Sequence, residues 1–184
     1  MTKAFRAVIA LAVVSVAALL IAAPASAAKL GGSTLAPTKS TFEALSDIGV
    51  TVTPTGKGKE TANGLHFPVT GGKVDPETGT AKFVHTGGLQ FAMGSSTVDV
   101  ENFVVKVAGK KNLIKADSGD GKLRFADLNA KKLDIQEKGS KFVYSNIKVF
   151  LAKKSAKALA SAFNLNKDDL AGLKLGKLTT KFKG

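Results

Sequence analysis

Apolar and polar residues alternate along most of the chain in short segments, each closed by turn-forming residues, which is the pattern of half-buried strands. Residues 33–36 extend toward Pro37. Ser40-Thr41-Phe42-Glu43 has the spacing of a capping box, Phe42 and Leu45 lie three apart, and Gly49 is placed to end the segment, so a helix of two to three turns is expected. Val50 and Val52 alternate with threonines up to Pro54, whereas 55–64, rich in Gly, Lys and Thr, predicts a mobile loop. Strands follow at 65–70 and 80–85. They are joined through Asp75-Pro76-Glu77-Thr78-Gly79, where proline presets one dihedral and glycine permits a positive φ.

Gly87-Gly88 turns the chain into a strand at 89–93, and a long strand spans 97–108. In that strand Val98 and Val100 share one parity while Phe103, Val105 and Val107 share the other, which predicts a β-bulge near Glu101-Asn102. Alternation returns at 113–116, 123–128, 133–135 and 142–151. The period then changes: Ala156, Leu159, Ala160 and Phe163 recur at helical spacing within 153–164, and Asn166 is placed to cap a single turn through Leu170. Leu178, Thr180 and Phe182 end the chain as a strand expected to close a sheet. About nine to eleven strands and two helices imply a mainly β fold, an antiparallel β-sandwich or flattened barrel with two short helices.

The first residues depart from this pattern. Lys3 and Arg6 precede an apolar run at 7–23, then Pro24 and Ala25-Ser26-Ala27, which reads as a secretory signal peptide at 1–27 followed by one domain at 28–184. An uncleaved anchor is the alternative, but the run is at the short limit for a span. The expected location is outside the cell, secreted or associated with the wall, with the membrane met only through the cleaved leader. The chain has no cysteine, so disulfides, thiolate zinc sites, thiol catalysis and iron–sulfur clusters are excluded together.

Candidate chemistry is sparse. His66 and His85 fall on strands that the turn at 75–79 would pair within a few rungs, yet two imidazoles make a poor metal site, and a hydrogen-bonded structural role is the simpler reading. No nucleophile elbow, phosphate loop or dinucleotide fingerprint occurs, so no enzymatic activity and no catalytic or metal-ligating residues are expected. Asp99 and Glu101 share a strand face and read as solvated, and Asp117-Ser118-Gly119-Asp120-Gly121 reads as a polar hairpin turn in preference to a calcium loop. Charge is more informative: the chain carries +13 at pH 7, and 148–184 holds nine lysines against two aspartates. Lys153, Lys154, Lys157, Lys181 and Lys183 would form a cationic surface suited to an anionic cell-wall polymer or to solubility alone. Arg124 is the only arginine beyond the leader, which argues against specific nucleic-acid recognition.

The run Phe67-Pro68-Val69-Thr70-Gly71-Gly72-Lys73-Val74-Asp75, followed by Gly79-Thr80-Ala81-Lys82-Phe83-Val84-His85-Thr86-Gly87-Gly88-Leu89, resembles the HtaA-like domains of secreted and cell-envelope proteins of actinobacteria. The likeness extends over most of 28–184. It takes in 45–54, the strand at 98–105 and the late Ala-rich helix. It implies an antiparallel β-sandwich and, in the best-understood members, capture of haem outside the cell for iron acquisition. In those members an N-terminal tyrosine ligates the iron and a histidine hydrogen-bonds that tyrosine. His85 matches the histidine, Val84 replaces the glycine before it, and no tyrosine precedes Tyr144. The leading expectation is therefore a secreted, non-enzymatic β domain acting as a structural or weak binding module at the envelope, without a cofactor. The alternative is haem binding, with His85 as ligand or hydrogen-bond partner, Phe83, Leu89, Phe91 and Met93 covering the porphyrin, and Lys82 on a propionate.

Overall fold

The computed structural model describes residues 30–119 and 121–184; the leader expected at 1–27 lies outside the described residues. The chain runs β1 (Gly31–Ala36), α1 (Lys39–Asp47), β2 (Thr51–Thr55), β3 (Lys59–Thr61), β4 (Gly64–Val74), β5 (Ala81–His85), β6 (Gly88–Met93) and β7 (Ser96–Val107). It continues as β8 (Leu113–Ser118), β9 (Gly121–Asn129), β10 (Asp134–Lys138), β11 (Lys141–Leu151), α2 (Lys153–Phe163), α3 (Lys167–Leu170) and β12 (Lys174–Lys183).

All pairings are antiparallel, and one circuit closes: β1–β4–β5–β7–β8–β9–β11–β12 and back to β1. The sequence leaves sandwich and barrel open; the β7–β8 and β1–β12 pairings make it a closed barrel, with edges remaining only on the strands outside the circuit. Four shorter strands decorate it. β2 and β6 extend from the first half of β7, β3 lies along the start of β4, and β10 lies along β11.

Side chains alternate across the wall, so β12 buries Leu178, Thr180 and Phe182 while Lys181 and Lys183 face out. Phe83, Tyr144, Ile147 and Val149 are wholly buried, and Phe83 meets Tyr144 edge to face with ring centroids 5.2 Å apart. Such a side chain contributes roughly 2–3 kcal/mol by leaving water. α2 buries Ala156, Leu159, Ala160 and Phe163, packs on β9, β7 and α3, and is tied to β9 by Ser155 Oγ donating to the Arg124 carbonyl at 2.8 Å.

The predicted bulge is present: the β7–β8 register shifts between Glu101 and Val104, and Asn102 takes a left-handed φ of 53°. The loop expected at 55–64 is instead partly strand, because Lys59 to Thr61 pair with β4 around a tight turn at 62–63. All three β3 residues are exposed, so no apolar alternation announces it. α1 starts earlier than the capping box suggests: its N-cap is Thr38, whose hydroxyl bonds those of Ser40 and Thr41 at 2.9 and 2.6 Å. The single turn at 167–170 is a third short helix, with Asn166 Oδ1 accepting from the Asp168 amide at 3.1 Å as its spacing predicts.

Candidate functional site

β5 ends at His85 with its side chain inside the barrel, 2% exposed. Its Nδ1 lies 3.0 Å from the Phe103 carbonyl of β7, and its Nε2 lies 2.6 Å from Ser33 Oγ of β1. Ser33 Oγ is also 2.6 Å from Thr180 Oγ1 of β12, its direct register partner. One proton arrangement satisfies all three contacts. The carbonyl can only accept, so Nδ1 carries the ring proton; Ser33 then donates to Nε2, and Thr180 donates to Ser33. The result is a polar seam that crosses the interior from β12 through β1 to β5 and β7, passing over β4.

Burial holds His85 neutral, its pKa lowered to about 4, with hydrogen bonding to the Phe103 carbonyl opposing part of the effect. A serine bonded to an imidazole resembles a nucleophile and its base. Here the base is weak, the orienting group is a carbonyl, and Ser33 is 2% exposed, so the pair has no route to a substrate in this arrangement. The adjoining cavity, lined by Ser33, His85, Phe67, Phe103 and apolar neighbours, has a volume of about 30 Å³, room for about one water.

The glycines that follow His85 have a steric cause. Gly87 has φ 87°, and a Cβ there would meet the Gly58 nitrogen at 2.3 Å; one on Gly88 would meet the Val100 carbonyl oxygen at 2.3 Å. The motif lets β6 and the 56–58 turn close over the end of β5.

His66 lies on the other face of the wall. Thr34 Oγ1 is 3.2 Å from its Nδ1, and partial burial, then the Lys59 charge, lowers its pKa. As the 75–79 turn predicts, β4 pairs with β5, and Val69, three residues from His66, lies opposite His85; the two imidazoles face opposite sides of the wall, although the His66 charge adds to the lowering of the His85 pKa. Asp99 and Glu101 are exposed, and Asp99 accepts from Gln90 Nε2 at 3.1 Å. Asp117 begins the expected hairpin, in which Ser118 pairs with Gly121; Asp120 lies outside the described residues. Among the described residues no group of three or more His, Asp or Glu could hold a metal ion.

The residues suggested for haem do not form a porphyrin site in this arrangement. Phe83, Leu89 and Phe91 fill the core at 0–3% exposure, both nitrogens of His85 are engaged, and the cavity beside it is far smaller than a tetrapyrrole. Tyr144 donates its hydroxyl to the Gly79 carbonyl at 2.9 Å, and burial, then the charges of Asp75 and Glu137, hold its pKa above the usual phenol value. It is a neutral donor and not a phenolate.

The C-terminal lysines are exposed as expected: Lys153, Lys154 and Lys157 on α2, Lys181 and Lys183 on β12. Sequence reasoning missed Ser33 and Thr180, whose polarity inside a barrel is visible only once β1 and β12 are paired. It also missed the lysines of β4 and β7, which no run of charge marks.

No family model matches the chain, and no curated protein does. Among solved structures, the C-terminal domain of HtaA from Corynebacterium glutamicum superimposes with a TM-score of 0.63 at 15% identity, over 83% of this chain and 95% of that one. A domain-swapped dimer of a histidine-to-alanine variant of that domain gives 0.57 at 18% identity, over 79% and 91%. The closed barrel thus has the fold of the HtaA C-terminal domain, as the Phe67–Leu89 motif suggested.

Proposed function

We propose that the protein is a non-enzymatic HtaA-like module, secreted and held at the cell envelope, that works through its outer surface as a structural element or weak binder of anionic wall polymer. The observation that carries this reading is the sealed interior. Its polar seam of Thr180, Ser33, His85 and the Phe103 carbonyl is satisfied within itself, and among the described residues the cavity beside it holds only about 30 Å³. A working Ser–His pair would offer its hydroxyl to an electrophile. A fluorophosphonate probe is therefore expected to leave Ser33 unlabelled in the folded protein, with no turnover of ester or glycoside substrates; stoichiometric labelling of Ser33 would sink the non-enzymatic reading. Secretion is checked by the N-terminus of the protein recovered from the medium or wall, expected at Ala28.

Haem capture is the second reading, favoured by the HtaA fold and by His85 in its motif position. It would need the seam to open, leaving Ser33 and Thr180 without their partners in an apolar interior. Titrating haem into the protein is expected to leave the free-haem Soret band unchanged. A saturable shift at one equivalent that His85→Ala abolishes would establish capture instead.

A further inference from the structure

The register of the barrel sets three lysines in one row across three neighbouring strands: Lys73 of β4 is directly opposite Lys82 of β5, which is directly opposite Lys106 of β7. Strands lie about 4.8 Å apart, so the row spans about 10 Å of wall. All three side chains are exposed and point to the outer face. Like charges directly opposite each other destabilise a sheet, and here the conflict occurs at two successive strand junctions. Lys110 and Lys111, in the β7–β8 loop, join the same three lysines around a concavity of about 570 Å³. Its one carboxylate is engaged elsewhere: Asp75 accepts from the amides of Glu77 and Thr78 at 3.0 and 3.3 Å and from the Thr78 hydroxyl at 2.7 Å. None of the five lysines forms an ion pair with a described carboxylate.

We infer that this concavity is the binding site for a linear, phosphodiester-linked anionic polymer, with Lys73, Lys82 and Lys106 contacting successive charged units and Lys110 and Lys111 closing over the strand. The chemistry of the lining selects the class. No described aromatic side chain lines the concavity, so its described lining has no platform for stacking the bases of a single-stranded nucleic acid. It also presents no exposed large apolar side chain to anchor in a lipid surface. Lysine ammonium groups act as point charges without the planar fork of arginine, which suits a flexible chain of phosphates better than one fixed anion. This locates, on β4, β5 and β7, the partner proposed in general terms above, and it rests on that reading.

The test uses the protein purified from its secreting cells and long-chain inorganic polyphosphate as probe, followed by fluorescence anisotropy at low salt and at physiological salt. Binding is expected at low salt and should weaken steeply as salt rises. In the triple variant Lys73→Gln, Lys82→Gln, Lys106→Gln, affinity at low salt should fall about tenfold or more. The slope of log K against log salt should flatten by about 2, from the ~0.7–0.9 that each phosphate contact contributes. The charge-matched control Lys153→Gln, Lys154→Gln, Lys157→Gln on α2 should lose no more than about threefold. The loop pair Lys110→Gln, Lys111→Gln provides an independent reading should the triple variant fold poorly. Equal losses in the two triple variants would overturn the site and leave the envelope-module reading standing. So would tighter binding to poly(dT) or to phosphatidylglycerol vesicles than to polyphosphate, or orthophosphate competing as well as the polymer. A wild-type chain that binds none of these at low salt overturns both the site and the anionic partner.

Discussion

His85 couples the barrel to pH because its folded and unfolded states hold protons differently. Burial lowers its pKa to about 4, from 6.5 in the unfolded chain. Between those values the unfolded state binds the extra proton, so stability is complete above about pH 6.5 and is lost as pH falls toward 4. The whole effect is roughly 3 kcal/mol. Urea denaturation at pH 7.5 and at pH 5 should show most of that difference, in a window above the titration of ordinary carboxylates. The pH-dependent part should shrink in His85→Gln and persist in His66→Gln, since His66 is the less buried of the two. Identical pH profiles for wild type and His85→Gln would remove His85 from the account. At this scale the sequence was legible only in part. A histidine before Gly87-Gly88 stands out in the chain, and Thr180 shares the parity of Leu178 and Phe182, but Ser33 lies 52 residues from His85 and 147 from Thr180, and nothing in the chain joins the two hydroxyls to the imidazole.

The strand pattern was legible wherever one face is buried, and least so where both faces are wet. β7 illustrates the first case. Its buried residues change parity from Val100 to Phe103, and the structure inserts Asn102 at φ 53°, with its amide donating to the Gly87 carbonyl at 3.0 Å and Nδ2 to Asp117 at 3.3 Å. The extra residue lets one strand pair with β6 through its first half and with β5 through its second. The same device recurs in β11. Tyr144 is buried with one parity, Ile147, Val149 and Leu151 with the other, and Asn146 between them has φ 60°. In the sequence that second switch is blurred by apolar residues on both parities at Phe142 and Val143, whereas β3, exposed along its whole length, leaves no pattern to read. Asparagine tolerates left-handed backbone better than β-branched residues do, so Asn102→Val should destabilise by about 1–3 kcal/mol while Asn102→Gly stays near neutral. Guanidinium unfolding midpoints of the two variants decide it: equal losses would mean that the Asp117 contact, not the backbone, explains the asparagine.

At the scale of the whole molecule, closure of the barrel fixes which charges face each other, a property that residue counts do not contain. The sequence located the cationic excess in the last quarter of the chain. Folding spreads it, setting Lys73 opposite Lys82, Lys82 opposite Lys106, Lys115 opposite Arg124, Lys138 opposite Lys141, Lys141 opposite Lys183 and Lys148 opposite Lys177. Against these, the described strand pairs set opposite charges face to face at Asp117 and Lys122, and Arg124 forms an ion pair with Asp127 along β9. Repulsion therefore outweighs attraction on the outer wall, at a few tenths of a kcal/mol per exposed pair and about 1–2 kcal/mol together. Added salt screens these contacts as the Debye length falls from about 30 Å at 0.01 M to about 8 Å at 0.15 M. The facing charges lie closer together than either Debye length, so salt removes only about a third to a half of the repulsion, and the melting temperature at neutral pH should rise by roughly 1–4 °C across that range of sodium chloride, given ~2–4 °C per kcal/mol for a domain of this size. Replacing Lys82, which faces a lysine on each side, should raise the low-salt melting temperature and reduce the salt response. Differential scanning calorimetry of wild type and Lys82→Gln measures both quantities, and a wild-type melting temperature that falls with salt would mean that attractive pairs dominate the wall after all.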